Sequence, residues 1–172
     1  MKALFLTFHG FHATNGISKK IHYQVRALEA NGVETHLCYL SEKQGIKYRL
    51  VDQEILADYG GGIKGKLYKR FEFNSVFRYI IKNQIDLVYI RSDHNANPFT
   101  IRLVSKIKKA GIHVVMEIPT YPYDQEYILS KGKIQLLIDK CFRKQLAKYL
   151  DRIITFSNYK TIFGIPTLQI SN

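Results

Sequence analysis

Residues 2–40 read KALFLTFHGFHATNGISKKIHYQVRALEANGVETHLCYL, and their pattern decides the fold class. The apolar run 2–8 has the length and composition of a strand buried on both faces of a parallel sheet. It breaks at His9-Gly10, too early for the apolar core of a signal peptide with its cleavage site. A polar loop runs from His9 to Asn15. From Gly16 onward Ile17, Ile21, Val25 and Leu28 recur at three- and four-residue spacing, with Lys19, Lys20 and Arg26 mostly off that stripe, as in an amphipathic helix. Asn31-Gly32 stops the helix, because both residues accept the left-handed backbone. Val33 to Leu40 resumes as a second strand. Strand, loop, helix and strand in that order make a βαβ unit.

Working outward, residues 46–58 read as a minor hairpin and 60–65 (GGGIKG) as a flexible loop. One helix is expected from Lys66 to Asn83, then a buried strand at Asp86 to Ile90 and a polar loop at 91–95. Pro98 opens a helix that runs to Lys109 and stops at Gly111. Ile112 to Ile118 is the next strand. A long loop, Pro119 to Gly132, leads to a helix at about 133–149, and Arg152 to Phe156 and Thr167 to Ile170 close the set. Short β-branched strands separated by helices predict an α/β chain: a Rossmann-like, doubly wound, mainly parallel sheet with helices on both faces.

Composition limits the function classes. The 172 residues are 46% hydrophobic and 23% charged, ordinary values for a globular chain. No apolar run approaches the ~20 residues that span a bilayer. Cys38 and Cys141 lie in apolar segments and are expected to be reduced core thiols of a cytoplasmic protein. Lys and Arg number 26 against 14 Asp and Glu, a net charge of +12. Such an excess favours polyanionic partners: nucleic acid, anionic lipid or phosphorylated substrates. Lys133, Lys140, Lys144 and Lys148 are expected to form a cationic stripe opposite Leu137, Cys141 and Leu150. The earlier helix mixes Lys64, Lys66, Lys69, Arg70, Arg78 and Lys82 with Tyr68, Phe71, Phe73, Phe77 and Tyr79. Basic and aromatic residues together suit an anionic membrane surface on the inner face of the cytoplasmic membrane. No recognised nucleic-acid motif accompanies them, which sets nucleic acid aside.

In parallel sheets ligands bind beyond the carboxyl ends of the strands. Three loops there carry groups with chemistry: His9, His12, Asn15 and Gly16; Arg91, Asp93, His94 and Asn95; Glu117, Tyr121, Tyr123 and Asp124. Gly16, opening the first helix, lets backbone N–H groups approach a phosphate at the helix's positive end. His9 and His12 lack the Cys or acidic partners of a metal site, so no metal is expected. The glycines of 60–65 satisfy GxGxxG and, with Lys66, GxxxxGK. Leu67 stands where a P-loop needs Ser or Thr for magnesium, and the loop does not follow the first strand, so neither match predicts a nucleotide.

Taken in order, several segments resemble the N-terminal domain of family-4 glycosyltransferases of GT-B fold. They are Val25-Arg26-Ala27-Leu28, Asp86-Leu87-Val88-Tyr89-Ile90-Arg91, Glu117-Ile118-Pro119-Thr120-Tyr121-Pro122-Tyr123-Asp124 and Asp151-Arg152-Ile153-Ile154-Thr155-Phe156-Ser157. The third is similar to members that build bacterial surface polysaccharides. The resemblance implies that residues 1–172 are the acceptor-side half of a retaining transferase, with the donor-binding C-terminal domain absent from the chain. It implies a nucleotide-sugar donor, a saccharide or lipid-linked acceptor and no cofactor. Glu117 would serve as base, Arg91 or His94 as donor-side cation, and Asn15 and Gly16 would meet the donor phosphate. His12, Asp93, Tyr121, Tyr123 and Asp124 would meet the acceptor. This half alone would be inactive. The alternative is a non-catalytic Rossmann-type module holding a phosphorylated small molecule.

Overall fold

A computed structural model describes residues 1–11, 15–91, 96–124 and 130–171. It is an α/β chain with a mainly parallel arrangement of strands and intervening helices. The chain divides into two compact units, Met1–Tyr89 and Ile90–Asn172.

In the first unit, β1 (Lys2–Gly10), α1 (Gly16–Ala30) and β2 (Glu34–Lys43) form the expected βαβ start, with β1 and β2 parallel. Asn15 caps α1: its side-chain oxygen accepts the Ile17 N–H at 2.9 Å. Ser18, Ile21 and Val25 are the helix residues that bury, whereas Ile17 stays exposed. The hairpin expected at 46–58 is longer: β3 (Ile46–Val51) and β4 (Glu54–Gly61) extend β2 by antiparallel pairing. Two-residue turns make both reversals, with positive φ at Gln44 and Gly45 and again at Asp52 and Gln53, the backbone that matches hairpin twist.

The glycines expected as a flexible loop are ordered. Gly60 and Gly61 end β4, and Gly62 starts α2 (Gly62–Phe71). A second helix, α3 (Asn74–Lys82), follows, so the expected single helix is broken. The break is capped by Glu72, whose carboxylate accepts from Ser75 N at 3.0 Å and Ser75 Oγ at 2.6 Å. The first residues of β5 (Leu87–Arg91) lie beside β1, where Tyr89 stacks on Phe5 with ring centroids 4.4 Å apart.

Arg49, on β3, is fully buried. It donates to Tyr59 Oη at 3.0 Å and to the Thr7 carbonyl at 3.1 Å, and its guanidinium lies 5.8 and 5.7 Å from the Phe8 and Phe73 ring centroids. Among the described residues no carboxylate pairs with it, and Nη2 has no hydrogen-bond partner. The two rings supply the negative faces that such a cation needs away from water. Cys38 is buried beside it, and burial pushes its thiol pKa up; Cys141, expected in a core, is exposed.

In the second unit β5 ends at Arg91 and α4 (Pro98–Lys109) begins behind an Asn97 cap that accepts the Phe99 and Thr100 N–H groups, each at 3.0 Å. Then come β6 (His113–Glu117), α5 (Ser130–Ala147), β7 (Arg152–Thr155), β8 (Thr161–Ile162) and β9 (Ile165–Gln169). β6, β7 and β9 run parallel in that order, and the short β8 pairs antiparallel with β9. Ile101, Leu103, Val104 and Ile107 of α4 and Leu146 of α5 join Val114, Met116 and Ile153 in the buried set.

Gly65 is the buried residue of α2. A Cβ there would lie 2.9 Å from the Gly60 carbonyl carbon and 3.2 Å from the Tyr59 oxygen, so only hydrogen lets the helix rest on β4. Gly65→Ala is expected to destabilise the first unit by about 1–3 kcal/mol, as overpacking does, and a denaturant titration will measure it.

Candidate functional site

Several of the residues expected at the carboxyl edge of the strands have partners within the fold. Asn15 is occupied by its cap, and Gly16 has open space where a Cβ would stand. Arg91 and Glu117 meet in the second unit: Nη1 donates to Oε1 at 2.8 Å, with Glu117 fully buried and Arg91 nearly so. Neither end presents an open reacting group. His12, Asp93 and His94 lie outside the described residues.

Asp139, unnoticed in the sequence, organises this edge. It is buried on α5 and accepts from Ala96 N at 2.8 Å, Tyr123 Oη at 2.7 Å and Arg143 Nε at 2.6 Å. Arg143 also donates to Asp124 at 2.8 Å and stacks 4.8 and 5.1 Å from the Tyr123 and Phe163 centroids. Lys140 adds a 2.8 Å ion pair to Asp124. Lys140 and then Arg143 hold the Asp124 carboxyl below its ordinary pKa; burial opposes the Arg143 charge, yet Asp124 and Asp139 raise its pKa. Tyr121 packs edge-on against Tyr159, and its N–H donates to Ser157 Oγ at 2.8 Å. The i,i+4 spacing of Asp139 and Arg143 was the available signal.

Two surfaces differ from this closed network. On α2, Ile63, Leu67 and Phe71 are exposed by 76, 52 and 45%. At about 100° per residue they form one stripe roughly opposite Gly65, the residue on the sheet. Lys64 flanks the stripe on one side, Lys66 and Arg70 on the other, and the helix has no acidic residue. On α5, Ile134, Leu137, Ile138 and Cys141 form a second exposed stripe at three- and four-residue spacing. Lys133, Lys140, Lys144 and Lys148 therefore run beside Leu137 and Cys141, not opposite them; Asp139, Leu146 and Leu150 take the buried side.

A groove of about 600 Å³ lies in the first unit. One wall is a single face of α3, formed by Ser75, Arg78, Tyr79 and Lys82, and the other is the β3–β4 turn. His36 lies between, with Nδ1 2.6 Å from Asp52 Oδ2 and 3.2 Å from Tyr79 Oη, and Nε2 3.3 Å from Glu34. Burial, then Asp52, raises the Tyr79 pKa. Sequence reading missed the groove because it lies at the start of β2, away from the strand ends searched. Among the described residues no three His, Cys, Asp or Glu side chains gather as a metal site requires, and no helix is long and apolar enough to cross a membrane.

No protein-family model matches the chain, and no curated protein matches it. Among solved structures it is similar to a secreted C11 cysteine protease from Bacteroides thetaiotaomicron, at 10% identity and a TM-score of 0.43. That match covers 87% of this chain, which spans about half (47%) of the other. At this identity and score it assigns no activity. The family-4 glycosyltransferase expectation, with its hexosyltransferase activity, is corrected by these findings. The physical reason lies in the motifs. Asp86 and Asp151, which open two of them, each pin a strand start: Asp86 accepts from Lys2 N at 2.7 Å and Asp151 from Val114 N at 2.8 Å. Such motifs report a parallel sheet, not a family.

Glu117→Gln leaves the Arg91 charge unpaired in the interior and is expected to cost about 3–5 kcal/mol, whereas Glu117→Leu with Arg91→Met costs less than either single change. Chemical denaturation of the set checks this. For Asp151, burial raises the pKa, but Lys108 and the Val114 N–H outweigh it and leave the value low. A depressed folded pKa gives stability above the unfolded pKa that is lost as pH falls through the folded one. Melting temperature should therefore drop between about pH 5 and pH 1, and Asp124→Asn with Asp151→Asn should flatten that drop.

Proposed function

We propose that the chain is a peripheral protein that attaches to anionic lipid, as on the inner face of a cytoplasmic membrane. The observation that carries this reading is α2: its apolar stripe points away from its own sheet and is bordered by cations. A soluble helix ordinarily turns such a stripe inward, and an interfacial helix turns it outward. Each apolar side chain seated at headgroup depth removes surface from water, worth up to about 1.5–3 kcal/mol when burial is complete. Each Lys or Arg near an anionic surface adds about 1 kcal/mol. The net charge of +12 acts in the same direction, and α5 repeats the arrangement in the second unit.

Vesicles containing phosphatidylglycerol should bind the chain and pure phosphatidylcholine vesicles should not, with binding weakened by salt. Leu67→Glu with Phe71→Glu should weaken co-sedimentation at least about tenfold, the equivalent of 1.4 kcal/mol. Equal binding to both vesicle types, or none to either, overturns the reading.

A further inference from the structure

The groove in the first unit carries charge that the fold leaves unused. Arg78 and Lys82 stand one turn apart on the α3 face that lines it, and neither has an ion-pair partner among the described residues. Across the groove the Glu54 carboxylate on β4 is likewise unpaired among the described residues. Asp52, by contrast, is occupied: Oδ1 accepts the Leu37 N–H at 2.8 Å and Oδ2 faces His36 at 2.6 Å. The walls thus present two available cations on one side and one available carboxylate on the other. The same walls also carry the Tyr79 ring and, on the β3–β4 side, Val51, Ile55 and Leu56. The cavity's size falls in the range of small-molecule sites, which are apolar with a few placed polar groups.

We propose that this groove binds a small zwitterion with an apolar body, the chemistry of an α-amino acid bearing an apolar side chain. The ligand's carboxylate is held by Arg78 and Lys82, and Arg offers it paired N–H donors. Its ammonium faces Glu54, and its side chain covers Val51, Ile55 and Tyr79. A simple anion would meet Glu54 with like charge, and a simple cation would meet Arg78 and Lys82. A ligand carrying both charges satisfies both walls. His36 lies on the groove floor, oriented by Asp52, and reports occupancy. The inference is independent of lipid attachment, which uses α2.

The test is a nuclear magnetic resonance titration of the intact chain with L-leucine and L-phenylalanine, followed at the His36 and Tyr79 resonances. Saturable shifts are expected, with N-acetyl-leucine (no ammonium) and leucine methyl ester (no carboxylate) both at least about tenfold weaker, a difference of 1.4 kcal/mol. Arg78→Ala with Lys82→Ala, both exposed positions, should remove the preference for leucine over its ester, and Glu54→Gln the preference over its acetyl derivative. Vesicle binding should be unchanged in Glu54→Gln. Absence of saturable shifts, equal binding of the blocked derivatives, or unaltered preferences in the variants overturns the proposal.

Discussion

Three aspartates clasp strands by the same reciprocal pair of bonds, and the sheet depends on that clasp. Asp86 donates its N–H to the Lys2 carbonyl at 2.9 Å and accepts the Lys2 N–H at 2.7 Å. Asp151 does the same with Val114, both bonds at 2.8 Å, and Asp52 with Leu37 at 3.1 and 2.8 Å. In each pair a charged acceptor takes an N–H near the start of a strand: the first residue of β1, the second of β6 and the fourth of β2. Charge-assisted bonds of this kind are worth about 1.5–3 kcal/mol. They also set register, because a one-residue slip would point every side chain of the strand to the wrong face. Asp52 extends the device from a strand start to a hairpin turn, and so places His36 in the groove.

Arg49 plays the complementary part within the first unit. Its guanidinium reaches β1 through the Thr7 carbonyl, β4 through Tyr59, and the α2–α3 junction through Phe73. A guanidinium withdrawn from water carries a penalty of several kcal/mol, which the rings and hydrogen bonds only partly offset. The arginine therefore specifies the arrangement more than it stabilises it. The Gly65 contact and the Tyr68 ring, edge-on to Tyr59 at 5.9 Å, hold α2 to the strands beside that anchor.

The α/β class was legible in residues 2–40 because apolar periodicity switches there from a buried run to a helical stripe and back. The strands at 86–90, 112–118 and 152–156 were legible for the same reason. The turns were not: Gln44-Gly45 and Asp52-Gln53 lack the Asn-Gly signature, so the full length of the hairpin did not show. Nor did the break between α2 and α3, because the residue that makes it, Glu72, caps through a side chain that propensity ignores. Glu117 and Arg91 stood out in sequence as polar groups after buried strands, but sequence could not tell an open carboxylate from a sealed ion pair. That distinction is one of burial. Glu54 gave no signal, Asp139 gave only its i,i+4 spacing to Arg143, and Arg78 showed only as one basic residue among several, since their meaning comes from what long-range packing sets beside them.

The two cysteines make the native chain its own spectroscopic tool. Cys38 is enclosed, and its thiol is held in the unreactive protonated form; Cys141 lies open on the outward stripe of α5. A thiol-directed dye or spin label will therefore settle on α5 alone without any engineered position, and its environment will reveal what that helix touches.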